Sequence, residues 1–170
     1  MSGWLKRLFG GGRRERGKGE PHSVLPASLQ NLLQERKEQL KGVPALVTGN
    51  GRIAHLLARL QSDVTLGRPC HHSTGYPGVT YIRRPLDWNS GAIDFLVVDS
   101  PAALGDAGTL AENLSPRAAV LLCGNDVQYP ADIALLRRLR ENGWRQLPFR
   151  DNTGAPPCRL WYRDGNFLGI

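Results

Sequence analysis

Pro44-Ala-Leu-Val-Thr-Gly-Asn-Gly-Arg-Ile-Ala54, continuing through His55 to Leu60, is an apolar run, a double-glycine turn and an amphipathic run in direct succession. The uncharged run 44–48 is too short for a helix and suits a strand buried on both faces. Gly49 and Gly51 let the backbone turn sharply and approach a ligand closely. From Arg52 onward, Ile53, Leu56, Leu57 and Leu60 recur at the spacing of one helix face. Strand, glycine turn and helix together open a parallel α/β sheet.

Downstream the alternation continues. Short apolar runs at 63–66, 79–82, 93–98 and 118–123 read as strands two to five. A weak helix is expected over 107–114. A strong one is expected over 130–141, with Ile133, Leu136 and Leu139 inward, Arg137, Arg138 and Arg140 outward, and Asn142-Gly143 as its stop. Two last strands, 144–149 and 159–162, flank a Pro-rich loop at 152–157. Apolar strands separated by helices imply a parallel sheet covered on both faces, with right-handed crossovers. The expected fold class is α/β, a single Rossmann-like, doubly wound, mostly parallel sheet of about seven strands with a C-terminal antiparallel hairpin.

Upstream, the segment 23–42 reads as one amphipathic helix. Pro26 stands at its first position, Leu29, Leu32, Leu33, Arg36 and Leu40 lie along one face, and Gln30, Glu35, Lys37 and Glu38 lie on the polar side. Such a helix covers a sheet or meets a partner. Ahead of it, residues 10–20 interleave glycine with charge and cannot bury a core. Trp4, Leu5, Leu8 and Phe9 share one helical face, a candidate anchor to a membrane surface or protein partner. The divisions are therefore 1–20, a flexible basic head; 21–42, a covering helix; and 43–170, the Rossmann-like domain.

The net charge of +7 is uneven, because residues 1–20 hold six basic and two acidic side chains. The domain itself is only mildly basic, which gives no strong nucleic-acid signal. No apolar run reaches membrane-spanning length, and none follows Lys6 and Arg7 as a signal peptide requires. The expected location is cytoplasmic, with the membrane periphery open to the head. Cys70, Cys123 and Cys158 lack the spacing of a disulfide framework or zinc site. Cys70-His71-His72 reads as a solvated loop, and no metal site is expected.

In a doubly wound sheet, ligands bind at the carboxyl ends of strands, at the switch point. That singles out Gly49, Asn50 and Gly51 after the first strand, Arg68 after the second and Asp99 after the fourth. The free N–H groups opening the helix at this turn suit an anionic group. A carboxylate at position 99 suits a general base or an amine anchor. Ser100 lacks a visible base to activate it. Arg83-Arg84 with Arg68 would form a basic rim, though solvated charge explains them as well. Asn125-Asp126 reads as a turn and helix cap, and His55 as packing or surface.

The order of elements resembles the class I S-adenosylmethionine (SAM) methyltransferases over residues 29–170. The resemblance rests on Phe95-Leu-Val-Val-Asp-Ser100, the weak helix, Ala118-Ala-Val-Leu-Leu-Cys123, the long helix ending at Asn142-Gly143 and the last strand up to Tyr162. Asp99-Ser100 is similar to the Asp-Ser that follows the fourth strand in the spermidine synthase branch. The resemblance implies SAM at Gly49, Asn50 and Gly51, with Asp99 beside the substrate. The sequence departs from the family at three places. Ala45 stands where the first strand normally carries an acid, Val47 stands at the first glycine, and Leu66-Gly67-Arg68 replaces the acid that grips the ribose. These departures support an alternative, a non-catalytic binding or assembly module of the same fold that takes no cofactor. A third reading follows from Gly49-x-Gly51-x-x-Ala54, which resembles the dinucleotide-binding Rossmann proteins, with Arg68 suited to the 2′-phosphate of NADP. No small-molecule substrate or protein partner is named by any residue pattern.

Overall fold

The protein is described from a computed structural model, which covers residues 24–49, 51–67, 75–99, 107–124, 134–152 and 154–170. A seven-stranded sheet runs in the order β3-β2-β1-β4-β5-β7-β6. Its strands are β1 Pro44–Thr48, β2 Asp63–Gly67, β3 Val79–Ile82, β4 Ile93–Val98, β5 Leu114–Cys123, β6 Arg145–Phe149 and β7 Cys158–Tyr162. β1 pairs in parallel with β2 and β4, β2 with β3, and β4 with β5. β7 runs antiparallel to both β5 and β6. The expected sheet and its antiparallel C-terminal edge are both present.

Alternate side chains on each central strand point to opposite faces, and each face has its own core. On one face, Ala45, Val47, Phe95, Val97, Ala119 and Leu121 meet α1 (Ala27–Glu35), α2 (Lys37–Leu40) and α3 (Gly51–Arg59) through Leu29, Leu33, Leu40, Ile53 and Leu57. On the other, Leu46, Leu96, Val98, Val120 and Leu122 meet α4 (Ala107–Glu112) and α5 (Ala134–Glu141) through Leu110, Leu135, Leu136 and Leu139. Each such leucine contributes about 1.5–3 kcal/mol by leaving water.

Several boundaries differ from the sequence reading. The helix expected over 23–42 is interrupted at Arg36, which takes φ −101° and ψ 21° between α1 and α2. Pro26 is the N-cap rather than the first helical residue, and Gln30 is half-buried, its side-chain amide donating to Leu25 O at 2.9 Å. α4 stops at Glu112, and β5 begins at Leu114, earlier than expected. Trp144 is buried and precedes β6 instead of starting it. In α5 Leu135 is buried with Leu136 and Leu139, while Ile133 lies outside the described residues. The helix stop is as expected: Gly143 has φ +70°, and the Asn142 amide donates to Arg138 O at 2.8 Å.

Between β3 and β4 the chain passes through a single 3-10 turn, Pro85–Asp87, among the described residues. Trp88 follows it, buried, with its indole N–H donating to Gly91 O at 2.7 Å. No helix among the described residues is long and apolar enough to cross a membrane. The head, with Trp4, Leu5, Leu8 and Phe9, lies outside the described residues.

Candidate functional site

The strand order reverses direction between β1 and β4, so their carboxyl ends mark the switch point. Thr48 is aligned with Val98 across this pair, so Gly49 and Asp99 leave the sheet side by side. Thr48 is fully buried and its hydroxyl donates to Val97 O at 3.1 Å, tying the two ends together. Gly49 has φ +92°, a conformation that strains any residue with a Cβ. A Cβ there would overlap Asp99 Oδ1 and lie 3.1 Å from Asp99 Cγ and Oδ2. The carboxylate of Asp99 therefore lies directly over the glycine turn. Two residues singled out separately in the sequence are in contact.

Gly51 opens α3 and is buried. A Cβ on it would come within 2.7 Å of Tyr76 Cε2. The Tyr76 ring stacks on His55 with centroids 4.9 Å apart, and the Tyr76 backbone N–H donates to the Tyr81 hydroxyl at 2.7 Å. Tyr76 thus covers the first turn of α3, and His55 is a packing residue that holds it there. The role of Tyr76 was not visible in sequence, whereas packing was one of the two readings open for His55. An aromatic side chain in the loop Gly75-Tyr-Pro-Gly78 was the one available signal.

At the end of β2, a Cβ on Gly67 would lie 2.9 Å from Pro85 Cγ and 3.0 Å from Pro85 Cα and N. Pro85 packs on Gly67, so the absence of a side chain at 67 serves close packing. Ala45 and Val47 are fully buried in the apolar core. A carboxylate at either position would be left among hydrocarbon neighbours, at a cost of several kcal/mol unless paired.

Asn50, Arg68, Ser100, Asn125, Asp126 and the Cys70-His71-His72 stretch lie outside the described residues. Arg84 bonds within its own turn, to Asp87 Oδ1 at 3.0 Å, while its backbone N–H donates to Asp87 Oδ2 at 3.1 Å. The Arg84 side chain holds the Asp87 carboxyl below its ordinary value, with the positive charge of Arg83 adding to the effect. Among the described residues, no group of three His, Cys, Asp or Glu side chains is placed to hold a metal ion.

On the other side of Asp99, Cys123 ends β5 opposite Cys158 at the start of β7. Contact with the Cys158 thiol, burial and the nearby Asp99 carboxylate push the Cys123 thiol well above its ordinary value.

No family model matches the sequence, and no curated protein is similar to it in sequence. Solved structures are similar in fold. An O-methyltransferase from Bacillus cereus, in complex with SAH, superposes with a TM-score of 0.56 at 14% identity, covering 85% of this chain and 84% of that one. The precorrin-6y C5,15-methyltransferase of Geobacter metallireducens gives 0.55 at 10% identity, over 76% of this chain and 87% of that one. A T. thermophilus 16S rRNA N2 G1207 methyltransferase, in complex with AdoMet and guanosine, gives 0.55 at 15% identity, over 88% of this chain and 45% of the longer protein. The chain has the Rossmann-like fold of the class I SAM-dependent methyltransferases.

Proposed function

We propose that the protein is a small SAM-dependent methyltransferase whose reaction centre lies at the ends of β1 and β4, with Asp99 as the acceptor's proton-accepting group. The observation that carries this reading is the Asp99 carboxylate laid over Gly49 at the switch point of a sheet with methyltransferase fold. The residues present fit one end of the cofactor. The positive dipole end of α3 suits a carboxylate beside the glycine turn, where Asp99 lies over Gly49 and Tyr76 over Gly51. They fit the ribose end less well, because β2 ends in Leu66 and Gly67 with Pro85 packed against the glycine. Binding therefore rests on the amino-acid end.

When bound, the cofactor supplies an electrophilic methyl group. Asp99 would orient the N–H or O–H of the acceptor and accept its proton. Tyr76 and His55 shield the start of α3 from water.

Isothermal titration with SAM, S-adenosylhomocysteine and NADPH in parallel tests the proposal. Saturable binding of the first two is expected, lost in Gly49→Val and retained in Asp99→Asn. Asp99→Asn should instead lower turnover by about 10²–10⁴-fold, the usual contribution of general base catalysis. Binding of NADPH alone would move the protein to the dinucleotide-binding group. Binding of none would sink the enzyme. It would favour the second reading, a non-catalytic module, whose support is the core position of Ala45 and Val47 and the Pro85–Gly67 packing.

A further inference from the structure

Cys123 and Cys158 face each other across the antiparallel pair of β5 and β7. The ladder around them fixes which kind of pair they are. Gly124 N–H donates to Pro157 O at 2.7 Å, so 124 and 157 form a hydrogen-bonded pair. Pairs alternate along an antiparallel ladder, which makes 123 and 158 a non-hydrogen-bonded pair. In such pairs the Cα atoms approach to about 4.5 Å and the side chains stand closest. That separation lies inside the roughly 4.4–6.8 Å range a disulfide spans. Both residues belong to the same core cluster, so their side chains leave the same face of the sheet. No disulfide joins the two residues, and the Cys158 thiol donates to Pro156 O at 3.5 Å. Cys158 also borders a cavity of about 350 Å³ between the ends of β5 and β6, with Phe149, Arg150 and Arg159 around it.

We propose that Cys123 and Cys158 are a reversible oxidation site, closing to a cross-strand disulfide when a hydroperoxide enters the cavity beside Cys158. Cys158 attacks first, because it lines the cavity and Cys123 is not among the lining residues. Its lone pair takes one peroxide oxygen, the O–O bond breaks, and the departing hydroxide leaves as water with the thiol proton. Cys158 is then a sulfenic acid. The Cys123 sulfur attacks the Cys158 sulfur, the S–O bond breaks and a second water leaves. Two thiols and one hydrogen peroxide become one disulfide and two waters. Contact with Cys158, burial and the neighbouring carboxylate disfavour the Cys123 thiolate, so Cys123 is not the first sulfur to react. The bond would form beside Asp99 and lock β7 onto the end of β5, at the edge of the candidate site. The inference stands on strand geometry and holds whether or not a cofactor binds.

The test is native full-length protein carrying Cys70→Ser, reduced, desalted and exposed to hydrogen peroxide. The expected result is complete loss of free thiol, an intact mass lower by two hydrogens, and full reversal by dithiothreitol. Arg117 and Arg137 bracket Cys123, and Arg150 and Arg159 bracket Cys158, so trypsin separates the two cysteines. A linked pair of these tryptic peptides must appear without reduction. Retained thiols, oxygen addition at Cys158 without cross-linking, or a cross-link that forms only in urea would each overturn the proposal. No core variant is needed for any of these readouts.

Discussion

Gly49 meets two demands that a side chain would break together. Its φ of +92° belongs to glycine, and its Cα lies under the Asp99 carboxylate. The two effects can be separated, because Gly42 has a similar φ of +70° and nothing within 4 Å of its would-be Cβ. Gly42→Ala should cost about 1–2 kcal/mol, the strain of a left-handed residue. Gly49→Ala should cost more, up to about 3 kcal/mol, because the methyl group also displaces Asp99. Urea unfolding measures both as shifts in midpoint at constant slope. Adding Asp99→Ala to Gly49→Ala should recover the difference between the two variants. Equal costs for the two glycines would mean that the Asp99 contact has no energetic weight.

At the scale of elements, β1, β3 and β4 were legible to the residue, because an apolar run bounded by Pro, Gly or charge is a local pattern. The positions of Gly49 and Asp99, directly after β1 and β4, were legible for the same reason. The break at Arg36 was not legible: burial at Leu29, Leu33 and Leu40 suits a continuous helix as well as an interrupted one. The early start of β5 was hidden by Pro116, which argues against a strand. The structure accommodates it with a bulge, since Ile93 to Phe95 advances two residues while Leu114 to Ala119 advances five. Ser115 pins that bulge through contacts with Asp94 and the Arg117 N–H. Tyr76 over Gly51 and Pro85 over Gly67 were invisible because they depend on contacts between distant parts of the chain. The turn at Pro85–Asp87 makes a pH prediction of its own. Arg84 holds the Asp87 carboxyl below its ordinary 3.8, so the stabilisation is complete above that value and is lost as pH falls through the lower, folded-state value. Asp87→Asn should therefore lower stability at neutral pH and flatten the acid limb of stability against pH. An unchanged acid limb in that variant would show the pairing to be energetically idle.

Across the whole molecule, the face of the sheet that carries α1, α2 and α3 is closed by the C-terminal segment. Phe167 and Leu168 are buried, the Phe167 N–H donates to Arg117 O at 2.8 Å, and the Asn166 amide bonds Arg163 O and Ile170 O. The Phe167 ring lies 5.4 Å from that of Phe95, tilted by 57°. Phe95 is flanked in register by Ala45 on β1 and Ala119 on β5. These small neighbours leave room for a second ring over the middle of the sheet. The tail thus packs on β4, the strand that leads into Asp99, and β4 depends on residues far from it in sequence. Phe167→Ala should cost about 3–5 kcal/mol, as expected for removing a buried aromatic ring without collapse of the space it leaves. The loss should appear as one cooperative transition at lower temperature, with faster hydrogen exchange in β4 as well as in the tail. If instead the tail alone exchanged faster while β4 kept its protection, the segment would be a peripheral cover, and the candidate site would owe its rigidity to β1 and β5 alone.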